Sequence, residues 1–157
     1  MALHDVVEAF FAESGWPIEP LIAGSLYETS FEGDSGTWAV HAHVYEDDAR
    51  LVLISTWTDL VDDEHRPAMA ELCNRANFGL AVGNFELDHD TGEVRFRTSI
   101  DVDGHEDALT TALVRNLAVA NVVTFDQYLP AIEGVAGGSP PDLAVRAVED
   151  VEDEPEG

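Results

Sequence analysis

Apolar residues open the chain at helical spacing. Leu3, Val6, Val7, Phe10 and Phe11 fall at i, i+3, i+4, i+7 and i+8, which predicts a helix that lays one stripe on a sheet. Gly15 is a natural stop, and Trp16-Pro17 begins a different backbone. The pattern then changes period. Residues 25–32 are polar but β-prone, and 33–36 (GDSG) supply a turn. Thr37–Tyr45 alternates, with Trp38, Val40, Ala42 and Val44 on one side and Thr37, Ala39, His41, His43 and Tyr45 on the other. After a turn at 46–48, residues 50–57 (RLVLISTW) are apolar at nearly every position. Such a run predicts a central strand covered on both faces.

A second helix is marked by Asp62, Asp63 and Glu64 ahead of Pro67, since acids and proline both suit a first turn. Met69, Leu72, Cys73, Ala76 and Leu80 recur at helical spacing, and Gly79 is the predicted C-cap. Residues 82–88 and 93–100 predict a hairpin around a four-residue loop ending in Gly92. If Asp88 pairs with Glu93, Glu86 lies opposite Arg95 and Asn84 opposite Arg97, while Phe85, Leu87, Val94 and Phe96 share the buried face.

A long helix is predicted from near Glu106 to Gly134. Leu109, Leu113, Leu117, Ala120 and Val123 mark one face, widened by Val114, Ala118, Val122, Phe125 and Leu129. So broad an apolar surface implies more than one partner surface, such as the sheet and a second subunit. Pro130 should bend or end this helix. A turn at 137–141 and a short helix at 142–148 follow. The expected fold is one α+β domain over 1–148, with an antiparallel five-stranded sheet and element order α-β-β-β-α-β-β-α. The last nine residues, EDVEDEPEG, hold six acids and read as a disordered tail over 149–157.

Charge narrows the function. The 157 residues hold 32 acids against 7 basic residues, all arginine, for a net charge of −25. Nucleic acid and anionic membrane surfaces are poor partners for such a chain. Self-repulsion should be relieved by salt, as in a high-salt or strongly acidic proteome. The first residues carry acids and no basic n-region, and no run is long enough to span a bilayer, so a cytoplasmic protein is expected. The single cysteine, Cys73, excludes an intrachain disulfide and reads as a small core residue.

With this element order go Gly15-Trp16, Gly36-x-Trp38, Asn74-x-x-Asn77, Gly83-x-Phe85-x-Leu87-Asp88, Thr91-Gly92-Glu93-Val94-x-Phe96-Arg97, Asp126-x-Tyr128 and Gly138-Ser139-Pro140. In these the chain resembles the YbjN family of bacterial sensory-transduction regulators, similar in fold to the class I type III secretion chaperones. The resemblance runs from about Val6 to Ala147. It implies a type III secretion chaperone-like fold and a homodimer that binds a protein segment or regulates by contact. It carries over no catalytic residue and no cofactor.

The chemistry-bearing residues each have a bland reading beside a sharper one. His41 and His43 share a strand face about 7 Å apart. They could be two ligands of a metal, or serve a hydrolase, but no HxxxH or HExxH pattern accompanies them. Asp88-x-Asp90-x-Gly92 begins like a calcium loop, yet its twelfth position is Ser99, and a hairpin turn explains it better. No GxSxG elbow, Walker loop or GxGxxG after a strand is present. Arg95 and Arg97 could clamp carboxylates of a partner, or pair locally with Glu86 and Asp88. Asn74 and Asn77 could contact a partner, or tie the helix end to the following loop. The expected function is non-catalytic protein binding by a dimer, with a metal-binding protein or hydrolase using the strand histidines as the alternative.

Overall fold

The computed structural model describes residues 1–150. Helix α1 (Leu3–Ser14) leads into strands β1 (Glu19–Ile22), β2 (Leu26–Glu32), β3 (Thr37–Tyr45) and β4 (Arg50–Thr56). Helix α2 (Arg66–Asn77), hairpin β5 (Asn84–Leu87) and β6 (Val94–Asp101), long helix α3 (Thr111–Ala136) and short helix α4 (Pro141–Glu149) follow. The strands form one antiparallel sheet in the order β1-β2-β3-β4-β6-β5.

The sheet has six strands, where the sequence predicts five. The addition is β1, four residues exposed at every position. Its EPLI sequence has no alternation to reveal it, and Pro20 suits an edge strand, which need not donate to a neighbour on both sides. The hairpin register is as read from the sequence: Glu86 opposes Arg95 and Asn84 opposes Arg97.

Helix ends differ from expectation by local chemistry. Residues Glu106–Ala108 form a single 3-10 turn and Leu109 is extended, so α3 starts later, at Thr111. Thr110 is its N-cap, and its Oγ1 accepts the Leu113 N–H at 3.2 Å. The helix runs through Pro130 to Ala136, with Pro130 on the solvent side. Helix α2 ends with Phe78 as its C-cap, so Gly79 and Leu80 lie beyond it. Glu149 closes α4 and Asp150 caps it. The rest of the acidic segment expected as a tail lies outside the described residues.

All four helices cover the same side of the sheet. Trp38 and Val40 of β3 pack with buried residues of α2, α3 and α4. Ala42 and Val44 of the same strand pack with those of α1 and α3. An unbroken aromatic series joins the two regions: Phe11, Trp16, Phe31, Trp38, Phe125 and Phe85 stand with successive ring centroids 4.7–6.5 Å apart. Of the two expected faces of α3, the one with Val114, Ala118, Val122, Phe125 and Leu129 is buried, whereas Val123 of the other is 57% exposed.

One polar cluster sits inside this apolar layer. Asn121 of α3 is fully buried, and its Nδ2 donates to the carbonyl oxygens of Leu53 (2.9 Å) and Phe96 (3.2 Å) and lies 3.2 Å from Thr98 Oγ1. Its Oδ1 accepts the Ser55 hydroxyl at 2.5 Å, and Ser55 Oγ accepts from Trp38 Nε1 at 2.9 Å. Thr98 Oγ1 donates to the Leu117 carbonyl at 3.0 Å. Helix and sheet are thus joined by a satisfied buried network, which fixes their relative position.

Candidate functional site: the open face of the sheet

Among the described residues every helix lies on one side, and no second layer covers the other face of the sheet. Strand β4 was expected to be covered on both faces. Instead Val52 and Ile54 look outward and are only 7% and 6% exposed. Their neighbours shield them: the register sets Ile54 between His41 and Arg97, and Val52 between His43 and Ser99. The floor of this face is therefore apolar, and its walls carry both arginines and acids, Glu93, Asp48 and Asp101 among them. A depression of about 390 Å³ is lined by Leu21, His41, His43, Ile54, Trp57 and Arg95. A second, of about 400 Å³, is lined by Tyr45, Arg50, Val52, Arg97, Ser99 and Asp101.

Three of the chain's seven arginines, Arg50, Arg95 and Arg97, lie on this face. Arg95 Nε and Arg97 Nε both donate to the same oxygen of Glu86, at 2.9 and 3.1 Å. One carboxylate is shared by two guanidiniums, whose remaining N–H groups are donors, while Asp88 and Glu93 stand near Arg95. Arg97 thus pairs diagonally with Glu86. Asp88 instead uses its Oδ1 to accept the Asp90 N–H (2.8 Å) and Thr91 N–H (3.4 Å), closing the hairpin loop. Those bonds, the Asp90 one first, hold its carboxyl below the usual range. At the rim Arg50 donates to Asp101 at 2.9 Å.

His41 Nε2 lies 2.8 Å from Glu28 on the neighbouring strand. The His43 ring stacks on Tyr45, with centroids 6.2 Å apart and planes at 9°. Its pKa is lowered, first by burial and then by His41, Arg95 and Arg97, so it is neutral at pH 7. Among the described residues, no group of three or more His, Cys, Asp or Glu side chains is placed to hold a metal ion.

The asparagines part company. Asn77 Oδ1 accepts the Phe85 N–H at 2.6 Å and its Nδ2 donates to the Phe85 carbonyl at 3.1 Å, so it ties the end of α2 to β5. Asn74 is exposed, and its main-chain carbonyl accepts the Phe78 N–H. Cys73 is buried, and burial pushes its thiol up to about 12, which keeps it protonated and inert. Val52 and Ile54 were missed as site residues because a continuous apolar run does not reveal which face lacks a cover. The shared role of Glu86 was hidden too, since cross-strand pairing predicts direct opposites and not diagonals.

The class defined by this architecture is an α+β domain with a one-sided antiparallel sheet. By sequence, the family described as "Putative bacterial sensory transduction regulator", YbjN, matches residues 3–134. The chain belongs to the YbjN family. It is similar in fold to the crystal structure of YbjN from E. coli, at 10% identity over 85% of this chain and 91% of that one, with a TM-score of 0.62. It is also similar to a chain of the ExsC–ExsE complex, at 17% identity over 77% and 86% of the two chains, with a TM-score of 0.53. A chain of the ExoT–SpcS complex from Pseudomonas aeruginosa matches at 13% identity over 79% and 94%, with a TM-score of 0.51. No curated protein matches the sequence. Among the described residues, no helix is long and apolar enough to cross a membrane.

Proposed function

We propose that this chain is a non-catalytic, homodimeric regulatory or chaperone-like protein of the cytoplasm. It engages a segment of another protein across the open face of its sheet. The observation that carries this reading is the juxtaposition of Val52 and Ile54 with the Arg95–Glu86–Arg97 group. An apolar floor beside two guanidiniums that share one carboxylate and keep N–H donors suits an extended segment that alternates apolar and acidic residues. Arg95 and Arg97 hold its carboxylates, and His41 and His43 line the path; Asn74, exposed beyond α2, and Asn77 at the join to β5 lie outside it. Binding of this kind needs no cofactor, and neither nucleic acid nor membrane is a partner. The fold neighbours lend support, since those solved with partners are a chaperone–effector complex of HopA1 with SchA and the ExsC–ExsE and ExoT–SpcS pairs.

The test is capture of a partner from the host at its own salt concentration, using the full chain, its Arg95→Glu/Arg97→Glu variant and its Ile54→Asp variant. The expected result is one protein retained by the parent chain and lost by both variants, with their circular dichroism unchanged. Equal retention by all three would overturn the assignment of this face. Native mass spectrometry with and without chelator addresses catalysis and metal: a stoichiometric metal ion lost together with His41→Ala would replace this reading.

A further inference from the structure

Helix α3 carries a second surface, on the opposite side of the molecule from the open sheet face. Ala112, Asn116, Val119 and Val123 are all exposed, the two valines by 49% and 57%. Their 4-3-4 spacing places them within an arc of about 60° at 100° per residue. That is the seam of a helix that packs on another helix. Small side chains along it allow a close approach.

Charge singles out this seam. Acids make up 32 of the 157 residues, yet residues 109–125 contain neither Asp nor Glu. Arg115 is the only charged residue in that stretch, and no carboxylate lies within ion-pair distance of it among the described residues. The next acid along the helix is Asp126. For two molecules of charge −25, a helix face with no acid between residues 109 and 125 lowers the cost of approach, the nearest acids being Glu13 of α1 and Asp126.

We infer that the α3 seam is the surface on which a second copy of this chain docks, the two α3 helices crossing antiparallel about a two-fold axis level with Asn121. This rests on the dimer proposed above and names its interface. The register explains the residues as a set. The axis sets Val119 against the partner's Val123, Asn116 against the partner's Asp126, and Ala112 against the partner's Pro130. Arg115 and Asp126 flank the seam on one side, so each Arg115 meets the partner's Asp126 and the pair occurs twice. The Asp126 oxygens each accept one main-chain N–H already and retain a lone pair for this contact. A groove of about 750 Å³ between α1 and α3, lined by Phe10, Glu13, Trp16, Arg115 and Val122 among others, borders the same side and leaves room for partner side chains. The contact is isologous, and it tightens with salt because screening relieves the repulsion between the two copies.

Sedimentation over the micromolar range in about 1 M KCl, where the Debye length is about 3 Å, tests this. The parent chain is expected to be dimeric and the Val119→Asp/Val123→Asp variant monomeric, with the same helicity because both sites are exposed, and a melting temperature lower only by what the dimer contributes. Arg115→Glu is expected to weaken the dimer by setting like charges opposite each other, and to do so more at about 0.1 M than at about 1 M KCl. Phe78→Asp, at an exposed loop residue away from the seam, is expected to leave it intact. Oxidation of the Val119→Cys/Val123→Cys variant should give a covalent dimer. If the parent chain is dimeric and the double aspartate variant equally so, the α3 interface is overturned while the dimer stands. If the parent chain is monomeric throughout, both fall.

Discussion

Asp126 on α3 accepts the main-chain N–H of Ser35 at 2.8 Å and, with its other oxygen, that of Asp34 at 3.0 Å. The β2–β3 turn is thereby fastened to a helix more than ninety residues away in sequence. Gly33 packs against the same carboxylate so closely that a Cβ there would overlap it. Asp126→Ala should cost about 2 kcal/mol, the range for hydrogen bonds to a charged group. Guanidinium denaturation measures it, and Gly33→Ala should lower the midpoint as well. A midpoint shift within error for Asp126→Ala would mean that water replaces the carboxylate freely.

Asn121→Leu should be more severe. The substitution keeps the branched shape but leaves the Leu53 and Phe96 carbonyls without their side-chain donor and the Ser55 hydroxyl without its acceptor, all inside the core. Several buried groups left unsatisfied cost about 3 kcal/mol or more. Chemical denaturation of the variant provides the number, and a loss under about 1 kcal/mol would show that these bonds contribute little net stability.

The N-terminus of α1 provides a pH signature. Ala2 at the N-cap has no side-chain acceptor, and Glu46 from the β3–β4 turn supplies one. Its carboxylate accepts the N–H of His4 (2.7 Å) and Leu3 (3.2 Å) and lies 2.6 Å from His4 Nδ1. Burial would raise the Glu46 pKa, but the main-chain and side-chain bonds from His4, then that from Leu3, outweigh it and the net shift is downward. The His4 pKa is raised, chiefly by the hydrogen bond to Glu46. The Glu46 contribution is therefore present above its unfolded pKa and lost as pH falls through the depressed folded one. The His4 contribution is full below its ordinary 6.5 and lost as pH rises through the raised value. The melting-temperature difference between the parent chain and Glu46→Gln should peak between those two losses and shrink on either side. A difference that is constant with pH would break the assignment.

Salt should stabilise the monomer as well as any assembly. With a net charge of −25, the compact state repels itself, and molar KCl shortens the Debye length to about 3 Å. The melting temperature should rise steadily from low to molar KCl. A flat profile would mean that the acids are spaced widely enough for water alone to screen them.

What could be read from the sequence follows from periodicity. Trp38, Val40, Ala42 and Val44 alternate against His41 and His43, so β3 and its two faces were legible. The Glu93–Arg97 half of the hairpin was fixed by the Gly92 turn, which gave the Glu86–Arg95 register. Strand β1 was not legible, because four exposed residues with a proline carry no period. Nor was the uncovered side of β4, since RLVLISTW reads the same whether Val52 and Ile54 meet a helix or only the side chains of adjacent strands. Asn121 sat in view within an apolar helix, and a lone polar residue there is itself the signal of a buried network. Pro130 faces solvent, where the helix carries on past the hydrogen bond it lacks.

The Asn121 cluster has a mechanical meaning. A helix resting on a greasy sheet can creep by fractions of a turn, since one apolar contact replaces another at little cost. With Asn121 bonded to β4 and β6 at once, creep of even one residue would strand every bond in the cluster. The long helix is therefore pinned in height and rotation, like a ruler nailed at its midpoint. Whatever is mounted on its outer edge is presented at a fixed latitude relative to the strands below.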